Sequence, residues 1–150
     1  MRLEEVMSTQ VKTAEGGEDA EAARFRMKQG GFHHLVVMRG SQVEGVLSSE
    51  DLGGPNGEAV RRGKTVADLM VKSPLVADSK TTLRTAANLL RGRSIGCLPV
   101  VDDGKLTGIV TVSDICAWVG RGAARTQRVS STRAGRRFTV KPPSGKRRRR

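Results

Sequence analysis

Two seven-residue segments hold the strongest candidates for chemistry in this chain. They read Gly45-Val46-Leu47-Ser48-Ser49-Glu50-Asp51 and Gly108-Ile109-Val110-Thr111-Val112-Ser113-Asp114. Each runs glycine, two apolar residues, a hydroxyl residue, two further residues and an aspartate. The pattern reads as a buried strand that meets the start of a helix. The glycine lets another backbone or a ligand come close. The hydroxyl falls where unpaired helix amides point outward, a ready anion site. The aspartate, about one turn later, projects to the same rim. A carboxylate there accepts hydrogen bonds from paired hydroxyls such as those of a ribose. The same spacing is also nearly a capping box, in which the hydroxyl satisfies the amide at the aspartate position. Capping and ligand contact can coexist.

The two segments lie 63 residues apart, and their surroundings repeat at the same spacing without a gap. Met7 matches Met70 and Leu35 matches Leu98, while Met27 with Leu90 and Leu52 with Ile115 are conservative pairs. Two such units in tandem suggest a two-fold-like body with equivalent sites. At about 55 residues each, the units would be marginal alone and are expected to share apolar faces.

The elements that must position the motifs are legible in the second unit. Val66 to Met70 opens it as a short apolar stretch, and Ser73-Pro74-Leu75-Val76 reads as extended, since a residue before proline avoids helix. Thr81 or Thr82 caps a helix whose apolar face is Leu83, Ala86, Ala87 and Leu90. Cys97 to Val101 and Leu106 to Thr111 form a hairpin about the turn at Asp102 to Lys105, and a helix through Ile115, Ala117 and Trp118 closes the unit. In the first unit Ala20 to Gln29 is the helix, Leu35 to Met38 and Gln42 to Ser48 are the strands, and Ser48 to Leu52 opens the closing helix. The fold class is α+β: two pseudo-symmetric strand–helix–strand–strand–helix repeats packed as one module. The expected boundaries are 1–57 for the first repeat, 58–65 for a linker and 66–120 for the second.

Residues 121–150 differ in kind. They hold 12 of the 27 Lys and Arg residues and no Asp or Glu, so the net charge of +12 belongs wholly to this tail. The preceding part is neutral. With few apolar residues to offset ordering entropy, the tail is expected to be disordered. It is a candidate for contact with nucleic acid or another polyanion through phosphates alone, because Phe138 is its one aromatic residue. The N-terminus carries no apolar signal segment and no run reaches the roughly 20 residues of a membrane span, so a cytoplasmic protein is expected. Cys97 and Cys116 lie in apolar segments and are expected to be reduced and buried. His33 and His34 invite a metal reading, but a full ligand set is missing, and no metal site is assigned. No nucleophile–base spacing stands out, and Asp51 and Asp114 occupy equivalent rather than facing positions, so no catalytic residue is assigned.

Taken together, Asp68-Leu69-Met70, Leu98-Pro99-Val100-Val101-Asp102 with Gly104, Gly31 to Val37 and the two glycine-to-aspartate motifs resemble a tandem pair of cystathionine-beta-synthase (CBS) domains, a Bateman module. The resemblance covers about residues 1–119, and Val36 stands where the family usually has proline. It implies a non-catalytic sensor that needs no cofactor and binds an adenosyl ligand, such as AMP, ADP, ATP or S-adenosylmethionine, between the repeats. By the same resemblance Asp51 and Asp114 would hold ribose hydroxyls, Ser48 and Thr111 would contact ribose or phosphate, and the base would lie near Val76 and Pro99. Such modules usually pair as homodimers, and the output here would be in trans. The alternative is an adaptor for nucleic acid or the ribosome that acts through the tail while the CBS pair only dimerises.

Overall fold

The computed structural model describes residues 1–93 and 95–121. The expectation of a disordered tail therefore lies, but for Arg121, outside the described residues. Residues Met1–Ala117 form one compact unit.

Local signals decide most elements. In the first repeat β1 is Thr13–Glu15, α1 is Ala20–Gly30, β2 is His34–Arg39 and β3 is Gln42–Ser48. Asp19 caps α1 by accepting the Ala22 amide at 3.1 Å. A spacing of three and four residues along α1 buries Ala20, Ala23 and Met27 on one face. The short helices α2, Glu58–Arg61, and α3, Val66–Leu69, follow, then β4, Val71–Lys72. The second repeat continues with α4, Leu83–Arg93, β5, Cys97–Asp102, and β6, Lys105–Thr111. Helix α5 spans 112–121. Thr82 is the cap of α4, since its Oγ1 accepts the Thr85 amide at 3.2 Å.

The 63-residue spacing survives in the pairing. One sheet has the order β1-β2-β3-β4. In it β1 runs parallel to β2, and β2 and β3 form a hairpin with a register shift between Val37 and Met38. The β5–β6 hairpin shifts at the equivalent place, between Val100 and Val101. An isolated parallel bridge from Ala77 to Val100 stands where β1 meets β2, and an antiparallel bridge from Ser8 to Ile109 stands where β4 meets β3.

That last equivalence shows an exchange of segments. Strand β4 opens the second repeat in sequence but extends the first repeat's sheet, while Ser8 of the first repeat pairs with β6 of the second. The cores follow suit. Val66 is buried with Leu35, Val37 and Leu47 of the first repeat, and Leu3, in a 3-10 turn at Leu3–Glu5, is buried with Leu90, Leu98 and Val110 of the second. A third cluster of Val36, Cys97 and Ile109 joins the opposite faces of the two hairpins. Residue 36, valine where proline is usual, therefore packs between the repeats.

Two local expectations are corrected. Ser49 to Gly53 forms turns rather than a closing helix. Gly53 and Gly54 take left-handed φ values of 83° and 66°, which end the turn. The buried Arg61 then occupies the carbonyls of Leu52 and Gly54, at 2.9 and 2.8 Å, and its Nε donates to Glu21 at 2.7 Å. Carbonyls held by a guanidinium cannot serve a continuing helix. Second, Cys97 is buried but Cys116 is exposed. Ile115 is the residue of α5 that packs on the second core, and its neighbour points about 100° away. Among the described residues no helix is long and apolar enough to cross a membrane.

Candidate functional site

Both motifs end at one cleft of about 1070 Å³, just above the roughly 300–1,000 Å³ usual for small-molecule sites. It is lined from both repeats. Apart from Pro74 and Arg93, every lining residue has its counterpart 63 positions away also on the lining. The cleft is thus a pseudo-symmetric pair of half-sites.

Ser48, Asp51, Thr111 and Asp114 all line it. Each motif is a reciprocal capping box. The Ser48 amide donates to Asp51 Oδ2 at 2.8 Å, and the Asp51 amide donates to Ser48 Oγ at 3.1 Å. In the second copy the Thr111 amide and hydroxyl donate to Asp114 Oδ2 at 2.8 and 3.0 Å, and the Asp114 amide donates to Thr111 Oγ1 at 3.2 Å. The intervening amides are engaged too, Ser49 with the His33 carbonyl at 2.9 Å and Val112 with that of Gly96 at 3.2 Å. Of the amides expected to make an anion site, those of Ser49, Asp51, Val112 and Asp114 are therefore already committed, while those of Glu50 and Ser113 are not among these bonds. Among the described residues no hydrogen bond uses Oδ1 of either aspartate, so each carboxylate keeps one oxygen for a ligand. Capping and ligand contact are compatible because they use different oxygens.

Val76 and Pro99 lie elsewhere. Val76 is exposed and Pro99 is fully buried, and neither lines the cleft, although the nearby Leu75 and Cys97 do. Apolar walls come from Phe32, Val46, Leu75, Ile95 and Ile109. Lys12, Phe32 and His34 were not singled out as ligand contacts from sequence. The 63-residue register pairs Lys12 with Leu75, Phe32 with Ile95 and His34 with Cys97, but none of these lies in a glycine-to-aspartate motif, so no sequence signal marks them.

His34 marks the axis between the half-sites. A Cβ at Gly96, in the other repeat, would stand 2.8 Å from its Nε2. Burial, and then neighbouring His33, hold its pKa below the ordinary 6.5 against the upward pull of Asp51, Asp114 and Glu50. Its counterpart Cys97 is a buried thiol whose pKa is pushed up to about 12, by burial first and then by Asp51. Such a thiol is no nucleophile at neutral pH. Among the described residues no group of three or more His, Cys, Asp or Glu side chains is placed to hold a metal ion.

The model of the CBS domain matches residues 3–52 and 66–121. Inosine-5′-monophosphate dehydrogenase of Thermoplasma acidophilum is 30% identical over 115 residues, which are 76% of this chain and 23% of that enzyme. The chain thus spans about a quarter of that relative's length. Among solved structures, the CBS domain pair of protein MJ0100 in complex with 5′-methylthioadenosine and S-adenosyl-L-methionine has a TM-score of 0.74 at 22% identity, covering 81% of this chain and 98% of that one. CBSX2 of Arabidopsis thaliana in complex with AMP has a TM-score of 0.69 at 26% identity, covering 80% and 97%.

Proposed function

The chain belongs to the CBS domain family, and from that premise we propose that it is a non-catalytic regulatory module that binds an adenosyl compound in the cleft between its repeats. The observation that carries this reading is the pair of equivalent carboxylates, Asp51 and Asp114, each with one oxygen left over from capping and both on one cleft. An adenosyl ligand supplies the vicinal hydroxyls that such an oxygen accepts. Ser48 and Thr111 stand beside the ribose or phosphate, and the base packs on the apolar walls toward the Val76 and Pro99 segments. The MJ0100 and CBSX2 domain pairs are solved in complex with adenosyl ligands, which supports the choice.

Binding would favour one arrangement of the repeats or of paired copies, and so signal in trans by population shift. A homodimer is the expected state. Two free thiols fit a reducing compartment such as the cytoplasm. Calorimetry with a panel of adenosyl ligands tests the proposal. Asp114→Ala should weaken binding at least about tenfold, while the lost cap costs about 1 kcal/mol of stability. A panel in which no ligand binds the wild-type chain would sink the reading. A variant that unfolds, yet binds normally per folded molecule, would leave the motif with capping alone.

A further inference from the structure

The lining of the cleft is uneven in charge. Glu50, Asp51 and Asp114 face it, against the permanent cations Lys12 and Arg93. Lys12 Nζ sits 5.9 Å from the centre of the Phe32 ring, and Arg93 is exposed in the last turn of α4, where it opposes the helix dipole. Backbone makes up little of the shortfall. The amides of Ser48, Ser49, Asp51, Thr111, Val112 and Asp114 all donate within the chain, which reduces the usual phosphate cradle at a helix start to the Glu50 and Ser113 amides. His34, between the carboxylates, is held toward its neutral form, and the Cys97 thiol stays protonated.

We infer that the cleft selects adenosyl ligands of low negative charge, such as S-adenosylmethionine or 5′-methylthioadenosine, over the polyphosphates ADP and ATP. This rests on the adenosyl reading above and narrows its ligand class. Each added phosphate brings anionic charge toward the exposed Glu50 and the half-buried Asp51 and Asp114, and at the two aspartates repulsion is stronger than in water. A sulfonium or a neutral thioether meets no such opposition. AMP, with one phosphate, falls between.

Calorimetry on the full chain decides it, with S-adenosylmethionine, 5′-methylthioadenosine, AMP and ATP as titrants. Inorganic triphosphate serves as the control for the cationic segment 121–150, and ATP binding that survives saturating S-adenosylmethionine is not counted to the cleft. The expected result is cleft binding about tenfold or more weaker for ATP than for S-adenosylmethionine. Glu50→Ser, which installs the residue type of the equivalent position 113 at an exposed site, should narrow that gap severalfold. ATP held in the cleft as tightly as S-adenosylmethionine, or a gap that Glu50→Ser leaves unmoved, overturns the inference while the adenosyl reading stands. Absence of cleft binding by every titrant overturns both.

Discussion

His34 shows how one residue departs from an otherwise symmetric design. Its equivalent is Cys97, so the axis carries one imidazole and one buried thiol. Burial lowers the imidazole pKa below 6.5 in the folded chain. The unfolded chain therefore takes up the proton first as pH falls. Stability contributed by the neutral imidazole is intact above 6.5, declines as pH drops from 6.5 to the folded-state value, and falls no further below it. His34→Gln should flatten the fall of the thermal midpoint in that window. The comparison with wild type cancels Asp68 and Asp102, whose lowered pKa values, set by hydrogen bonds from Thr65 and from Ser79 and Thr107, act only at more acid pH. Parallel profiles for the two proteins would show that His34 is solvated as in the unfolded chain.

At the scale of elements, the motif glycines mark where exchanged segments cross the hairpins. A Cβ at Gly45 would lie 2.8 Å from the Val71 carbonyl oxygen and 2.6 Å from Met70 Sδ, whereas one at Gly108 would lie 2.5 Å from Met7 Sδ and 3.1 Å from the Ser8 carbonyl. A methionine can move, but a paired strand carbonyl cannot move without loss of its ladder. Gly45→Ala should thus cost on the order of 1–3 kcal/mol, and Gly108→Ala less, as urea denaturation of both variants would show. Equal costs would mean that the sulfur contacts dominate. The hairpins were legible in the sequence from apolar runs about a turn, and the helices α1 and α4 from apolar residues three and four apart behind a nearby cap. The Ser49 to Gly53 turn was not, because Arg61 arrives from outside the motif to occupy its carbonyls. The site divides in the same way. Ser48, Asp51, Thr111 and Asp114 are fixed within their own motif, so their spacing announces them. Lys12 and Phe32 reach the cleft only through packing, and Val76 and Pro99, inferred from resemblance, lie beside the lining rather than on it.

For the molecule as a whole, the repeat describes sequence better than it describes folding units. Each hydrophobic core borrows a residue from the other repeat's opening segment: Val66 completes the first, Leu3 the second. Both are fully buried, and Leu3 also anchors backbone bonds, its amide donating to the Thr81 carbonyl at 2.9 Å while the Leu83 amide donates to that of Met1 at 2.9 Å. The N-terminal turn thereby closes the entry to α4 some 80 residues later. Such closure couples the two repeats more strongly than an interface of Val36, Cys97 and Ile109 would alone. Leu3→Ala should therefore cost about 2–5 kcal/mol, the range for a buried leucine rather than for a chain end. Its effect should appear as loss of amide protection in β5 and β6 before β2 and β3, by hydrogen exchange. Uniform loss across both hairpins would instead mean that the repeats unfold as one unit. Loss confined to residues 1–8 would mean that the exchanged turn frays without supporting the second core, and a ligand in the shared cleft would then have little means of moving one repeat by gripping the other.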